Sequence, residues 1–168
     1  MSRADVATLV VFCIDGEGRG RLAMPIEGIG RQSQREAGAI DIQLEVWLDT
    51  ARMRAGRVPA ERLSHSGFRE SWWTVAQMLA HHTVNGCNLE PGDLIGSGTQ
   101  SGSLPAQAGS LLELTAGGRQ PLTLAAGETR TFLEDGDRVM LRGWCERDGY
   151  VRIGFGEAAA TVLPALPR

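Results

Sequence analysis

The chain has 168 residues, 42% of them apolar, and a formal net charge of −3. That length suits one domain with a core of its own, and the absence of a basic block or an aromatic-interleaved basic stripe argues against nucleic-acid binding. All 17 basic side chains are arginine, so this chain has no lysine with which to run base or Schiff-base chemistry.

Residues 1–38 form a zone of their own: an apolar run over residues 6–14, the glycine-rich Asp15-Gly16-Glu17-Gly18-Arg19-Gly20, then Gly28-Ile29-Gly30. Two readings stand for this zone. The apolar run adds an edge strand, or the segment is poorly ordered because its glycines carry a high ordering cost. The run is far short of the about 20 residues that span a bilayer, and no small-residue cleavage pattern accompanies it, so a cytoplasmic protein with no membrane partner is expected. Cys13, Cys87 and Cys145 are odd in number and widely spaced, which suits reduced thiols rather than a disulfide framework or a zinc site.

Asp41-Ile42-Gln43-Leu44-Glu45-Val46-Trp47-Leu48 alternates polar and apolar residues, the period-two pattern of a half-buried strand with Ile42, Leu44, Val46 and Leu48 inward. Residues 49–59 break into arginine, alanine and glycine and read as an exposed connection. Ser66 is a candidate N-cap for a helix over residues 70–84, where Trp72, Val75, Ala76, Leu79 and Ala80 recur at helical spacing. Asn85-Gly86 supplies the stop. Beyond Gly92 come short apolar runs at residues 93–95, 110–115, 122–124, 129–133, 138–146 and 150–155, with turns at Ala116-Gly117-Gly118, Ala126-Gly127, Asp135-Gly136-Asp137 and Arg147-Asp148-Gly149. That punctuation predicts a dense β architecture.

Between the helix and this β region, the run from His81-His82 through Asn85-Gly86-Cys87-Asn88 to Ser97-Gly98-Thr99 crowds imidazole, polar and glycine residues as sites do. With Gly109-Ser110-Leu111-Leu112-Glu113-Leu114, Thr129-Arg130-Thr131-Phe132-Leu133-Glu134-Asp135-Gly136-Asp137, Gly143-Trp144-Cys145-Glu146-Arg147-Asp148-Gly149-Tyr150 and Arg152-Ile153-Gly154-Phe155-Gly156, it resembles the C-terminal part of the fumarylacetoacetase family. The resemblance covers residues 39–168 and leaves residues 1–38 unmatched. It implies a mixed, mostly β fold, the C-terminal part of the fumarylacetoacetase-type β-roll, with one main α-helix. It also implies a role in hydrolysing 4-fumarylacetoacetate, a small diketo acid, to fumarate and acetoacetate in tyrosine and phenylalanine catabolism, and a homodimeric parent.

Glu113, flanked by Leu112 and Leu114 in what reads as a strand, either faces solvent or is held in a site. The resemblance implies the second, with Glu113 as the carboxylate that orients a water-activating histidine. Thr99, in Ser97-Gly98-Thr99-Gln100-Ser101-Gly102, matches the family's substrate-contacting threonine. The family's cation, calcium or magnesium, is held by carboxylates N-terminal to the matched stretch, as are its histidine, lysine and arginine. Asp15, Glu17 and Glu27 do not reproduce the family's Glu-x-Glu, and Asp41 and Glu45 are not at ligand positions, so no metal residue is assigned here. The chain is therefore expected to be a part of the enzyme that is inactive alone; the alternative is a non-catalytic remnant or interaction module that assembles with another chain. His81 and His82 sit where a helix C-terminus favours them, His65 lies in a loop without a visible partner, and Trp72, Trp73 and Trp144 read as core. The hairpin over residues 143–156 reads as core and dimer-forming scaffold.

Overall fold

A computed structural model describes residues 9–13, for their backbone, and residues 38–167. Its centre is a four-stranded antiparallel sheet in the order β3-β2-β7-β8, built from β2 (Gln43–Asp49), β3 (Glu61–Gly67), β7 (Arg138–Cys145) and β8 (Ile153–Thr161). Strand β2 lies between two neighbours, which is why its alternation buries so completely: Ile42, Leu44, Val46 and Leu48 are all inside, as expected. Glu45 and Asp49, on the polar positions, are buried too. Val46 and Leu48 pack with Met53, Leu124 and Val139, while Ile42 and Leu44 pack with Phe68 and Val75. Each fully buried aliphatic side chain of this kind is worth about 1.5–3 kcal/mol.

The stretch after β2 departs from the sequence expectation. Residues Ala51–Gly56 form helix α1, capped by Thr50, whose hydroxyl accepts from the Met53 amide at 3.0 Å. A helix of this length has little intrinsic stability, and the fully buried Met53 anchors it to the core. Ser66, the expected helix cap, lies instead in β3 and donates its hydroxyl to the Gln100 carbonyl. After a 3-10 turn at Phe68–Glu70, the main helix α2 runs only from Val75 to Thr83. It starts where Thr74 and Gln77 satisfy each other's backbone amides in a capping box, a pair of bonds that a start at Glu70 would forgo. Trp72 and Trp73 therefore precede the cap. They are exposed, Trp72 at 96%, and the core role expected for them is overturned.

Strand β4 (Leu94–Thr99) pairs antiparallel with β1 (Leu9–Cys13), and β5 (Leu122–Thr123) pairs with β6 (Thr129–Arg130). Apart from β1, the zone of residues 1–37 lies outside the described residues. The expected strand at residues 110–115 is the four-residue helix α3 (Leu111–Leu114). Every residue of β8 is exposed. No helix among the described residues is long and apolar enough to cross a membrane.

Candidate active-site loop

Strand β4 delivers Thr99 to the surface at its C-terminal end, and the next residue, Gln100, turns inward and is buried. The segment that follows is closed on itself. The Gly102 amide donates to the Gln107 carbonyl at 2.9 Å, and the Leu104 amide donates to the Gln107 side-chain oxygen at 3.0 Å. From outside the loop, Glu70 accepts from the Ser103 amide at 2.7 Å. The chain then returns so closely that Gly109 sits against the Gln100 carbonyl and the Thr99 methyl. Only a residue without a side chain fits there.

Ser110 next caps α3, its hydroxyl accepting from the Glu113 amide at 3.2 Å. This is why residues 110–115 are not a strand. Three leucines beside one glutamate suit either state by pattern, and the serine cap with Thr115 bonding back to the Leu111 carbonyl at 2.7 Å selects the helical one. The Glu113 carboxylate is exposed yet held: the Ser101 hydroxyl lies 3.0 and 2.8 Å from its two oxygens and the Ser110 hydroxyl 3.0 Å from Oε2. A carboxylate has about four acceptor positions, so it keeps acceptor capacity facing solvent. Thr99 and Glu113 are thereby joined in one loop system, Thr99 through Gly109 and Glu113 through Ser101.

The histidines have partners elsewhere. His65 is not in a loop: it lies in β3, stacked on Trp144 with ring centroids 5.7 Å apart and with Nε2 3.1 Å from the Gln43 side-chain oxygen. Strand pairing of β2 with both neighbours brings these three together, a long-range effect invisible to local pattern. His81 meets the Trp73 ring edge-on, and His82 Nε2 is 3.5 Å from the Cys87 sulfur. Among the described residues no histidine hydrogen-bonds Glu113, and no group of three or more His, Cys, Asp or Glu could hold a metal ion. The calcium or magnesium implied by resemblance therefore does not fit the described residues.

Two strong ionic clusters lie outside the loop and serve the scaffold. Arg130 and Asp137, both buried, form two hydrogen bonds at 2.9 and 3.1 Å, and Glu128 and Glu134 stand at 3.2 and 3.3 Å from the guanidinium. The Asp137 hydrogen bond is the main reason the guanidinium is held above its ordinary range, against the cost of burial. At Glu45, burial pushes the carboxyl up, but hydrogen bonds from Arg62 and Trp47 outweigh it and leave it below the ordinary range.

Ser101, Gly109 and Ser110 fall within the family-like runs, but residue pattern assigns them no role of their own. One signal was present: Ser110-Leu111-Leu112-Glu113 has the Ser-x-x-Glu spacing of a helix start. The Ser101 contact carried no such signal, because it depends on the loop closing over Gln107.

The family model for the C-terminal part of fumarylacetoacetate hydrolase matches residues 28–163. The chain is 49% identical to the fumarylacetoacetase of Rattus norvegicus over 122 residues, which is 73% of this chain and 29% of that protein. Against the fumarylacetoacetase of Arabidopsis thaliana the identity is 48% over 135 residues, 80% of this chain and 31% of that protein. Against that of Homo sapiens it is 53% over 111 residues, 66% of this chain and 26% of that protein. The chain thus spans between a quarter and a third of the length of these curated relatives.

Proposed function

The chain belongs to the fumarylacetoacetate hydrolase family, to which its residues 28–163 correspond as the C-terminal part, and from that premise we propose that it supplies one wall of a fumarylacetoacetase-type active site. The reaction is hydrolysis of a carbon–carbon bond in a small diketo acid, 4-fumarylacetoacetate. The observation that carries this reading is the Glu113 carboxylate, held by two serine hydroxyls with acceptor capacity left over.

In that role Glu113 accepts the N–H of an imidazole supplied by the remainder of the enzyme. It sets the ring's tautomer and stabilises the imidazolium that forms as water is deprotonated. Thr99, on the same loop system, offers a hydroxyl to a substrate oxygen, with glycines on the loop allowing close approach. The family is generally metal-dependent, and the cation's ligands, like the lysine that this chain does not contain, belong to other parts of the enzyme. A homodimeric, cytoplasmic assembly accompanies this reading.

Replacing the matching portion of the rat relative by this chain tests it, with loss of substrate absorbance as the assay. The isolated chain is expected to show no turnover with added calcium or magnesium, and the chimera to be active. Turnover by the isolated chain, or a folded and inactive chimera, would overturn it, the latter in favour of an interaction module.

A further inference from the structure

We propose that Ser101 and Ser110 are positioning residues that hold the Glu113 side chain in one rotamer with both hydroxyl protons pointed at its carboxylate. This deepens the function proposed above and rests on Glu113 being the orienting carboxylate.

A serine hydroxyl has one proton and two lone pairs, and which way the proton turns depends on what already occupies the lone pairs. At Ser101 the oxygen accepts from the Gly109 amide at 3.1 Å. At Ser110 it accepts from the Glu113 amide at 3.2 Å. Each hydroxyl is thus committed as an acceptor on its backbone side, and its proton goes to the remaining acceptor, the Glu113 carboxylate. Two backbone amides set two hydroxyl protons, and these fix one carboxylate.

The two clamps come from different places. Ser110 is local, one turn before Glu113 on the same helix. Ser101 comes from the far side of the closed loop, next to Gln100 and Thr99. A glutamate side chain has three rotatable bonds and loses considerable freedom when held. For an exposed one, a single contact from its own helix turn leaves much of that freedom, whereas a second contact from an independent segment removes it. Orientation of a base requires the second condition, because an imidazole is aligned only by a carboxylate whose own position is set. The same Ser101 also ties the orienting carboxylate to the segment that carries Thr99, so the two groups keep a common frame.

Side-chain NMR on the full chain reads this directly. In the native protein the two Cγ protons of Glu113 should have distinct shifts and unequal three-bond couplings, the mark of a single rotamer. Ser101→Ala and Ser110→Ala should each bring these couplings toward their averaged values. Ser101→Thr, which keeps the hydroxyl, should preserve the native pattern, and amide spectra report whether each variant remains folded. Averaged couplings in the native chain, or native couplings in a folded Ser101→Ala/Ser110→Ala variant, would overturn the proposal. Failure of the functional reading is separate: it appears as an active Glu113→Gln chimera, whatever the couplings show.

Discussion

Gly109 lies so close to Gln100 that a Cβ on it would run into the Gln100 carbonyl oxygen and come within 2.9 Å of the Thr99 methyl. Backbone cannot swing aside as a side-chain tip can, so Gly109→Ala must push the two strands of the loop apart. The expected cost is about 1–3 kcal/mol, with loosening of the Ser101 and Ser110 contacts to Glu113. Gly67→Ala is the control, since nothing lies within 4 Å of its added Cβ. Urea unfolding of both variants checks this; equal stabilities would contradict the packing described.

Arg130 is the main partner of the fully buried Asp137. Arg130→Met keeps much of the side-chain volume and strips the Asp137 carboxylate of both guanidinium bonds, leaving it, among the described residues, the Glu134 amide at 3.0 Å. Breaking a buried pair on one side costs about 3–5 kcal/mol. Denaturant midpoints should fall accordingly, and a loss below about 1 kcal/mol would mean that the pair contributes only as a surface bridge does.

Glu45 gives the fold a definite pH signature. Its folded-state carboxyl lies below the ordinary value of 4.5, so folding favours the ionised form. The stability this contributes is present above the unfolded value and is lost as pH falls through the folded one. Unfolding free energies of the native chain and Glu45→Gln, followed from about pH 6 to about pH 2, should therefore converge on the acid side. A gap that widens on acidification would reverse the sign and refute the assignment.

For activity, Glu113→Gln in the chimera should lower kcat by about 10²–10⁴-fold while leaving folding intact. The amide has the same shape but cannot stabilise an imidazolium. Thr99→Val should act chiefly on KM, because in the proposed role the hydroxyl binds substrate rather than moving a proton. An unchanged kcat in Glu113→Gln returns Glu113 to the role of a solvated surface carboxylate.

Local pattern was enough for the elements that a single period or a turn residue specifies. Strand β2 was legible because Ile42, Leu44, Val46 and Leu48 alternate, and the turns at 116–118, 126–127, 135–137 and 147–149 because each contains a glycine, all five of which take positive φ. The body of helix α2 was legible from Val75, Ala76, Leu79 and Ala80. Its start was not, since Thr74 and Gln77 compete with Ser66 as a starting point and only the strand pairing of β3 removes Ser66.

The sequence by itself determined the mostly β character and the family resemblance, because these reside in residue identity and short-range spacing, and the candidacy of Thr99 and Glu113 is what that resemblance implies. Tertiary structure decided how those residues are presented. Leu111-Leu112-Glu113-Leu114 is ambiguous between helix and strand until Ser110 caps it, and Glu113 acquires a second clamp only when the loop closes and Ser101 reaches it. Trp72 and Trp73 read as core until the capping box at Thr74 leaves them outside the helix. His65 lacks a partner along the chain and finds Gln43 and Trp144 across two strands. The Ser110 cap and the Thr74 capping box are local bonds that compete with other local choices, whereas the Ser101 clamp and the partners of His65 join segments distant in sequence, to which no local period or propensity is sensitive.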